Sequence, residues 1–232
     1  MHGAGESAAV WRPQVNDLHE VEAIDLPGHG GSAGPGLESV AAYAEWVSER
    51  LAGSQSLVLA GHSMGGAIAQ YLSLHRELSP WLAGLVLVGT GARLRVHPDI
   101  FALLDTNFDA AIARIVEWSV GDPLSHDIAA VLEGSMRQAG RDTVRNDLRA
   151  CNVFDVMDAV TAINVPVLLM AGNEDRMTPP KYSAFLEQRI PKSEMVVVAK
   201  AGHMVMLERP EETVQAIRAF RQGLPRPGVS PA

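Results

Sequence analysis

A serine flanked by glycines is the clearest chemical signal in this sequence. Within the stretch Leu57 to Gln70, an apolar run leads into Gly61, Ser63 and Gly65, and small residues with helical character follow. A strand that turns into a helix over so few residues must bend sharply, and the residue at the bend must tolerate backbone strain. Such a bend pushes the serine hydroxyl beyond the end of the sheet, above the N-terminus of the helix. The spacing therefore predicts that Ser63 is a nucleophile.

A serine hydroxyl is a poor nucleophile at neutral pH, so it requires two partners. An imidazole must accept its proton, and a carboxylate must orient that imidazole. Asp175 follows the apolar run 165–171, and His203 follows the apolar run 195–199. Because the carboxyl ends of parallel strands meet at one edge of a sheet, we expect Ser63, Asp175 and His203 to lie together at that edge.

The same chemistry requires two N–H donors for the oxyanion of a tetrahedral intermediate. The amide of Met64, directly after Ser63, supplies one donor at the start of the predicted helix. The glycine-rich loop at 2–7 is the natural source of the second, and Ala4 is our candidate within it. Among the carboxylates, the neighbouring Glu174 is the alternative acid.

The elements that must position these residues alternate between strand and helix. Short apolar runs predict strands at 21–26, 56–60, 85–88, 165–171 and 195–199. Periodicity and turn signals predict helices at 10–18, 37–52, 64–75 and 180–189, with a last helix from Pro210. Strands alternating with helices are typical of a parallel sheet covered on both faces. We therefore predict an α/β fold with a mostly parallel sheet flanked by helices.

The alternation breaks between residues 91 and 164, where no convincing strand occurs. Apolar residues recur there at helical spacing and predict helices at 99–105, 108–119, 125–139 and 142–150. We interpret 91–164 as a helical cap inserted into an α/β core formed by residues 1–90 and 165–232. The end of the chain, 223–232, is rich in proline and glycine and is predicted to be disordered.

The composition is typical of one globular domain with a sizeable core. The chain has 232 residues, of which 47% are hydrophobic and 20% charged, and no apolar run approaches the roughly 18 residues of a membrane span. A net charge of −8 gives no reason to expect nucleic acid or an anionic membrane as a partner. The single cysteine, Cys151, and the lack of a signal-peptide pattern suit a reducing cytoplasm. No metal-ligand spacing or nucleotide-binding motif occurs, so we expect no metal and no cofactor.

Four blocks of sequence, in order, resemble the α/β-hydrolase fold superfamily, in particular its small lidded carboxylesterase-like members. The likeness spans nearly the whole chain and is least specific over the cap. The blocks are His2-Gly-Ala-Gly5, Asp25-Leu-Pro-Gly-His-Gly-Gly-Ser32, Gly61-His-Ser-Met-Gly-Gly66, and Gly172-Asn-Glu-Asp175 with Pro179, Gly202-His203, Glu208 and Pro210.

The resemblance implies a serine hydrolase that cleaves small to medium apolar carboxylic esters through an acyl-enzyme. Serine at the elbow disfavours the haloalkane dehalogenase and epoxide hydrolase branches. A C–C bond hydrolase, a perhydrolase or a lactonase with the same triad stays open, as does a non-catalytic ligand-binding member of the fold. Substrate choice is expected to depend on the cap. Our candidates for lining the pocket, with ordinary core packing as the alternative for each, are His62, Phe101, Phe154, Met177 and Met204.

One departure from the family concerns the start of the sheet. Such proteins carry two or three strands before the His-Gly loop, whereas His2 is the second residue here. The loss of a central strand is expected to leave an exposed edge with unpaired backbone groups. Three explanations stay open, namely a preceding segment that belongs to a longer natural chain, a sheet that closes differently, or a second subunit in a homodimer. We favour the first.

Overall fold

The computed structural model of this protein describes residues 1–121 and 123–224. Residues 225–232, which make up most of the predicted disordered end, lie outside the described residues. The strands are β1 (Leu57–His62), β2 (Leu82–Val88), β3 (Val167–Gly172) and β4 (Ser193–Val198). The helices are α1 (Arg12–Asp17), α2 (Val40–Arg50), α3 (Met64–Leu74), α4 (Pro98–Thr106), α5 (Phe108–Ser119), α6 (His126–Val153), α7 (Lys181–Glu187), α8 (Val205–Glu208) and α9 (Pro210–Gly223).

The four strands form one parallel sheet in the order β1-β2-β3-β4. Strand β2 is buried on both faces: Leu85 and Leu87 belong to one hydrophobic core, and Val86 and Val88 belong to the other. Continuous apolar runs of this kind are expected where helices cover both faces of a parallel sheet. The predicted α/β fold is therefore confirmed.

The strand predicted at 21–26 is wrong, because this segment forms no strand. A strand exists only through its ladder of hydrogen bonds, and within the described residues no neighbouring strand lies beside this segment. The amide of Leu26 instead donates to His2 Nε2 at 3.0 Å. The free edge of β1 is contacted by Met1, whose nitrogen donates to Ala60 O at 2.7 Å and whose carbonyl accepts from His62 N at 3.1 Å.

The helical prediction for the middle of the chain agrees with α4, α5 and α6. Helix α6 is interrupted at Gly140, which has φ 81° and ψ 163°, and this interruption separates the two helices predicted there. The two ends of the helical stretch meet, because Val156 N donates to Ala92 O at 2.8 Å and Leu94 N to Phe154 O at 3.4 Å. The helices therefore leave and rejoin the sheet region at adjacent points.

These helices do not pack as a separate unit. Most of their buried apolar residues belong to the same hydrophobic cluster as Val86 and Val88 of β2 and Met170 of β3, while Ala150 and Cys151 of α6 belong to the other core. Helical members of this cluster include Leu104, Ile112, Leu132 and Leu148. No helix in the described part of the chain combines the length and apolar character needed to cross a membrane.

Candidate active site

Ser63 sits at a strained turn between β1 and α3. Its φ of 49° and ψ of −112° lie in a region that residues with a side chain rarely adopt. The strain is held by neighbouring backbone, since Ser63 N donates to Val88 O at 3.0 Å and Thr90 Oγ1 donates to Ser63 O at 2.9 Å. Within the described residues the Ser63 hydroxyl makes no hydrogen bond, and Ser63 and His203 line the same cavity.

The glycines around Ser63 are required by close backbone approach. A Cβ on Gly61 would collide with the carbonyl of Gly65, and a Cβ on Gly65 would lie 2.6 Å from the carbonyl oxygens of Met1 and His2. The Gly-x-Ser-x-Gly spacing is therefore a packing requirement of the turn, and Ser63 is the one member of the motif whose side chain has room to project.

His203 and Asp175 form a buried pair at the same edge of the sheet. His203 Nδ1 donates to Asp175 Oδ2 at 2.8 Å, and Thr178 Oγ1 donates to the same oxygen at 2.9 Å. Backbone amides of Met177 and Thr178 donate to Asp175 Oδ1, both at 2.8 Å. With the proton held on Nδ1, the Nε2 atom of His203 is left as the acceptor. The acid bonded to the histidine is Asp175 rather than Glu174.

The pair perturbs the pKa values of both partners. Burial alone would raise the pKa of Asp175, but the charge and hydrogen bond of His203, together with Thr178, lower it to about 2. Burial alone would lower the pKa of His203, but the charge and hydrogen bond of Asp175 raise it above its ordinary value. Asp175 is therefore anionic at neutral pH, and it stabilises a proton on the imidazole.

The backbone around His203 is fixed by a second carboxylate. Glu208 accepts from Gly202 N at 3.0 Å and from Met204 N at 3.1 Å, the two amides that flank His203. The amide of His203 itself donates to Ser119 O at 2.8 Å. The imidazole therefore projects from a loop in which the amides of Gly202, His203 and Met204 all have hydrogen-bond acceptors.

The amides of Met64 and Ala4, the two candidate oxyanion donors, have no acceptor among the described residues. Met64 is the first residue of α3, so its amide has no partner within the helix. The amide of Ala4 likewise donates to no described group, although its neighbours are both held: Gly3 N donates to Glu6 Oε2 at 2.7 Å and Gly5 N to Asp147 Oδ2 at 2.8 Å. Ala4 and Ser63 line one cavity.

That cavity has a volume of about 330 Å³ and opens over the serine. Its polar lining includes Ser63, His203, Thr178 and Glu6, and also Arg95, His97 and Arg176. Its apolar walls come mainly from the helical stretch and include Leu94, Ile100, Ile115, Met136, Val144 and Leu148. A volume near the lower end of the range for ligand pockets, about 300–1,000 Å³, suits a small to medium molecule.

Comparison with known proteins places this chain in a family. The model of the alpha/beta hydrolase family matches residues 1–216. The chain belongs to the alpha/beta hydrolase family. It is 35% identical to a solved structure described as a thermophilic esterase, with a TM-score of 0.86 over 97% of this chain and 89% of that one.

Two further relatives have lower sequence identity to this chain. The chain is 26% identical to the pimeloyl-[acyl-carrier protein] methyl ester esterase of Cronobacter sakazakii, over 97% of this chain and 92% of the relative. It is 19% identical to the enol-lactonase of Burkholderia xenovorans, with a TM-score of 0.86 over 95% of this chain and 89% of that one, and this likeness shows the fold alone. The named esterases confirm the predicted enzyme class, a carboxylic ester hydrolase.

Of the five pocket residues predicted for this alpha/beta hydrolase, only Met177 lines the cavity. Phe154 and Met204 are buried in the two hydrophobic cores, and Phe101 of α4 packs against the second. His62 is fully buried behind the site, where it bonds to Glu6 Oε2 at 3.0 Å and to the carbonyl of His203 at 3.1 Å. Apolar character alone predicts burial and does not say which buried side chains border a void.

Sequence reasoning missed the residues that support the site. Thr178 bonds to Asp175, and Glu6 and Asp147 bond to the loop of Ala4. His29 and Tyr43 in turn bond to Asp147. Helical periodicity is consistent with the burial of Tyr43 and Asp147, but it does not identify the group that each side chain bonds to. Among residues 1–121 and 123–224, no cluster of three or more His, Cys, Asp or Glu could hold a metal ion.

Proposed function

We propose that this alpha/beta hydrolase cleaves carboxylic esters through a covalent acyl-enzyme on Ser63, with His203 as the base and Asp175 as its orienting acid. The observation that carries the proposal is the buried Asp175–His203 pair, with its 2.8 Å hydrogen bond, on a cavity also lined by the strained Ser63. A serine with only a packing role has no need to share a cavity with a histidine whose Nδ1 proton is held by a buried carboxylate.

In the first half-reaction, Ser63 Oγ attacks the ester carbonyl carbon as His203 Nε2 takes its proton. The Oγ–C bond forms, the carbonyl π bond breaks, and the negative charge moves to oxygen. The amides of Met64 and Ala4 donate to that oxyanion. When the carbonyl re-forms, the bond to the alcohol oxygen breaks and His203 returns the proton to the leaving alcohol.

In the second half-reaction, water takes the place of the alcohol. His203 Nε2 removes a proton from water, the hydroxide adds to the acyl carbon, and the same two amides stabilise the second oxyanion. Collapse of this intermediate breaks the Oγ–C bond, and the proton on His203 returns to Ser63. The carboxylic acid leaves, and neither half-reaction needs a cofactor.

The substrate class follows from the walls of the cavity. Apolar side chains in the lining include Leu94, Ile100, Ile115 and Leu148. An apolar acyl or alcohol group of small to medium size would displace water from their surface. We propose that residues 91–164 act as the cap that selects this group, because α4, α5 and α6 supply most of those walls.

The first test is replacement of the nucleophile. Ser63→Ala is expected to lower kcat on p-nitrophenyl butyrate by at least about 10³-fold, because the acyl-enzyme cannot form. A fluorophosphonate should add one phosphonyl group per wild-type chain at Ser63 and none to the variant, as measured by mass spectrometry. Labelling at another residue, or an active variant, would refute the proposal.

The second test separates esters from other substrates of the same fold. p-Nitrophenyl esters of increasing chain length would be assayed beside a lactone, a β-diketone, dimethyl pimelate, and peracetic acid formation from acetate and hydrogen peroxide. Dimethyl pimelate is included because the curated relatives are named for a pimeloyl methyl ester. We expect the highest kcat/KM on a short to medium apolar ester. A preference above about tenfold for the lactone or diketone would reassign the substrate class.

A further inference from the structure

Asp147 is a fully buried carboxylate that lies outside the triad. It is on α6, and it accepts three hydrogen bonds from three separate segments of the chain. Gly5 N and His29 Nε2 donate to its Oδ2 at 2.8 and 2.7 Å, and Tyr43 Oη donates to its Oδ1 at 2.6 Å. A buried charge is costly unless it is paired, so this arrangement must be compensated by its partners.

His29 provides the compensation. Its Nδ1 faces the carbonyl of Pro27 at 3.0 Å and its Nε2 faces Asp147, so both ring nitrogens meet oxygen acceptors and both must carry a proton. Burial alone would lower the pKa of His29, but the hydrogen bond and charge of Asp147 raise it above its ordinary value. The adjacent His2 ring, 4.7 Å away, has its pKa lowered to about 4 by burial and by the charge of His29.

The bond to Gly5 reaches the oxyanion loop. Gly5 has φ 68°, and an added Cβ would lie 3.1 Å from both Met136 and Val144 of α6, so the loop is pressed against that helix. Gly3 N is held by Glu6 and Gly5 N by Asp147, which fixes the peptide groups on both sides of Ala4. The orientation of the Ala4 amide therefore depends on two buried carboxylates.

We propose that Asp147 is a positioning residue, which aims the Ala4 amide at the oxyanion through its bond to Gly5. The proposal rests on the ester hydrolysis proposed above. Helix α6 also supplies Met136, Val144 and Leu148 to the cavity wall. One helix therefore sets both the pocket that receives the substrate and the donor that stabilises the transition state.

Asp147→Asn tests this role. An asparagine offers one acceptor oxygen to three donors, so at least one of them loses its partner. A mispositioned oxyanion donor should lower kcat by about 10- to 100-fold and change KM by less than about threefold, since a full donor contributes about 10²- to 10³-fold. The change in kcat alone does not distinguish positioning from loss of stability, so a pair of ligands is needed.

The ligands are 1,1,1-trifluorooctan-2-one and octan-2-one. Ser63 Oγ adds to the carbonyl carbon of the trifluoro ketone as its proton moves to His203, and the carbonyl π electrons move to oxygen to give an oxyanion. Octan-2-one, of the same length, stays a neutral ketone. We expect Asp147→Asn to raise the inhibition constant of the first by about the factor lost in kcat, and that of the second by less than about threefold.

Two further variants complete the experiment. Ser79→Ala removes a buried hydrogen bond to Leu72 O at 2.6 Å at the far end of β2, and it should lower Tm without changing either inhibition constant. Tyr43→Phe removes the hydrogen bond from Tyr43 to Asp147 but keeps the carboxylate and its bond to Gly5 N. It should change the inhibition constant of the trifluoro ketone, and not that of octan-2-one, by about two- to fivefold. If Asp147→Asn does not fold, the inhibition constants of Tyr43→Phe test the positioning role of Asp147 instead.

The outcomes separate the two proposals. If wild-type enzyme hydrolyses esters but Asp147→Asn and Tyr43→Phe behave like Ser79→Ala, the positioning role is overturned and the triad stands. If both ketones weaken equally in Asp147→Asn, the residue is structural and the proposal is again overturned. A wild-type enzyme with no ester hydrolysis and no labelling at Ser63 would overturn the proposed function itself.

Discussion

Ser63 has a backbone conformation that costs energy, with φ 49° and ψ −112°. A residue held in such a region costs roughly 1–3 kcal/mol, which the surrounding fold must supply. Ser63 N and Ser63 O are both bonded to the segment from Val88 to Thr90, which follows β2, so the neighbouring strand holds the turn in place. The strain is the consequence of exposing a hydroxyl at the end of a parallel strand.

This strain predicts a difference between two inactive variants. Ser63→Gly should be more stable to unfolding than Ser63→Ala by about 1 kcal/mol, because glycine tolerates positive φ and alanine does not. Urea denaturation followed by circular dichroism would measure both free energies of unfolding. Equal stabilities would show that the turn is relaxed.

The charges around His203 predict the pH dependence of activity. His203 must be neutral at Nε2 to accept a proton, and the charge of Asp175 raises its pKa above the ordinary value of about 6.5. We expect kcat/KM to fall as pH drops, with a midpoint above about pH 6.5. In Asp175→Asn the carboxylate charge is gone and burial lowers the pKa, so the residual activity should have a midpoint at lower pH. An acid limb that does not move would contradict the pairing.

At the scale of the elements, glycines decide where backbone segments can meet. Gly61 packs against the carbonyl of Gly65 at the start of α3, whereas Gly134 of α6 has no heavy atom within 4 Å of the position of an added Cβ. The same substitution should therefore have opposite effects at the two sites. At Gly61 the added methyl group blocks a close approach of two backbone segments. At Gly134 it only lowers the conformational entropy of the unfolded chain.

We predict that Gly61→Ala destabilises the fold by more than about 3 kcal/mol and abolishes activity, because the elbow cannot close. Gly134→Ala should stabilise it by about 0.5–1 kcal/mol with kcat unchanged, since Ala is the better helix residue. Thermal unfolding and a p-nitrophenyl ester assay measure both. A tolerated Gly61→Ala would refute the packing explanation of the motif.

At the scale of the whole molecule, the helices of the middle stretch share a core with one face of the sheet. Leu132 of α6 is 1% exposed and belongs to the same cluster as Val86 and Val88. A stretch of helices with its own core could unfold alone, but a shared core links the unfolding of both parts.

Leu132→Ala should therefore lower the free energy of unfolding of the whole protein, by about 2–5 kcal/mol for a buried leucine. A single transition is expected in both circular dichroism and tryptophan fluorescence, with coincident midpoints. Two separated transitions, with the first lost in the variant, would mean that the helices fold as an independent cap.

The sequence by itself determined the family, the order of most elements and the three residues proposed for catalysis. Ser63, Asp175 and His203 could be predicted because each follows an apolar strand, and strand ends meet at one edge in a parallel sheet. The break between the last two predicted cap helices was readable for a similar local reason, since Gly140 interrupts the helical backbone there.

Only the tertiary structure decided what surrounds those residues. The strand predicted at 21–26 does not form, because pairing depends on a neighbour that local sequence does not contain. Asp147 reaches Gly5 across 142 positions of the chain. It lies at helical spacing with the buried Val144 and Leu148, so the periodicity of α6 is consistent with its burial but does not reveal its partners. Apolar residues signal burial, but whether Leu148 borders a void and Phe154 fills the core depends on packing between elements that lie far apart in sequence.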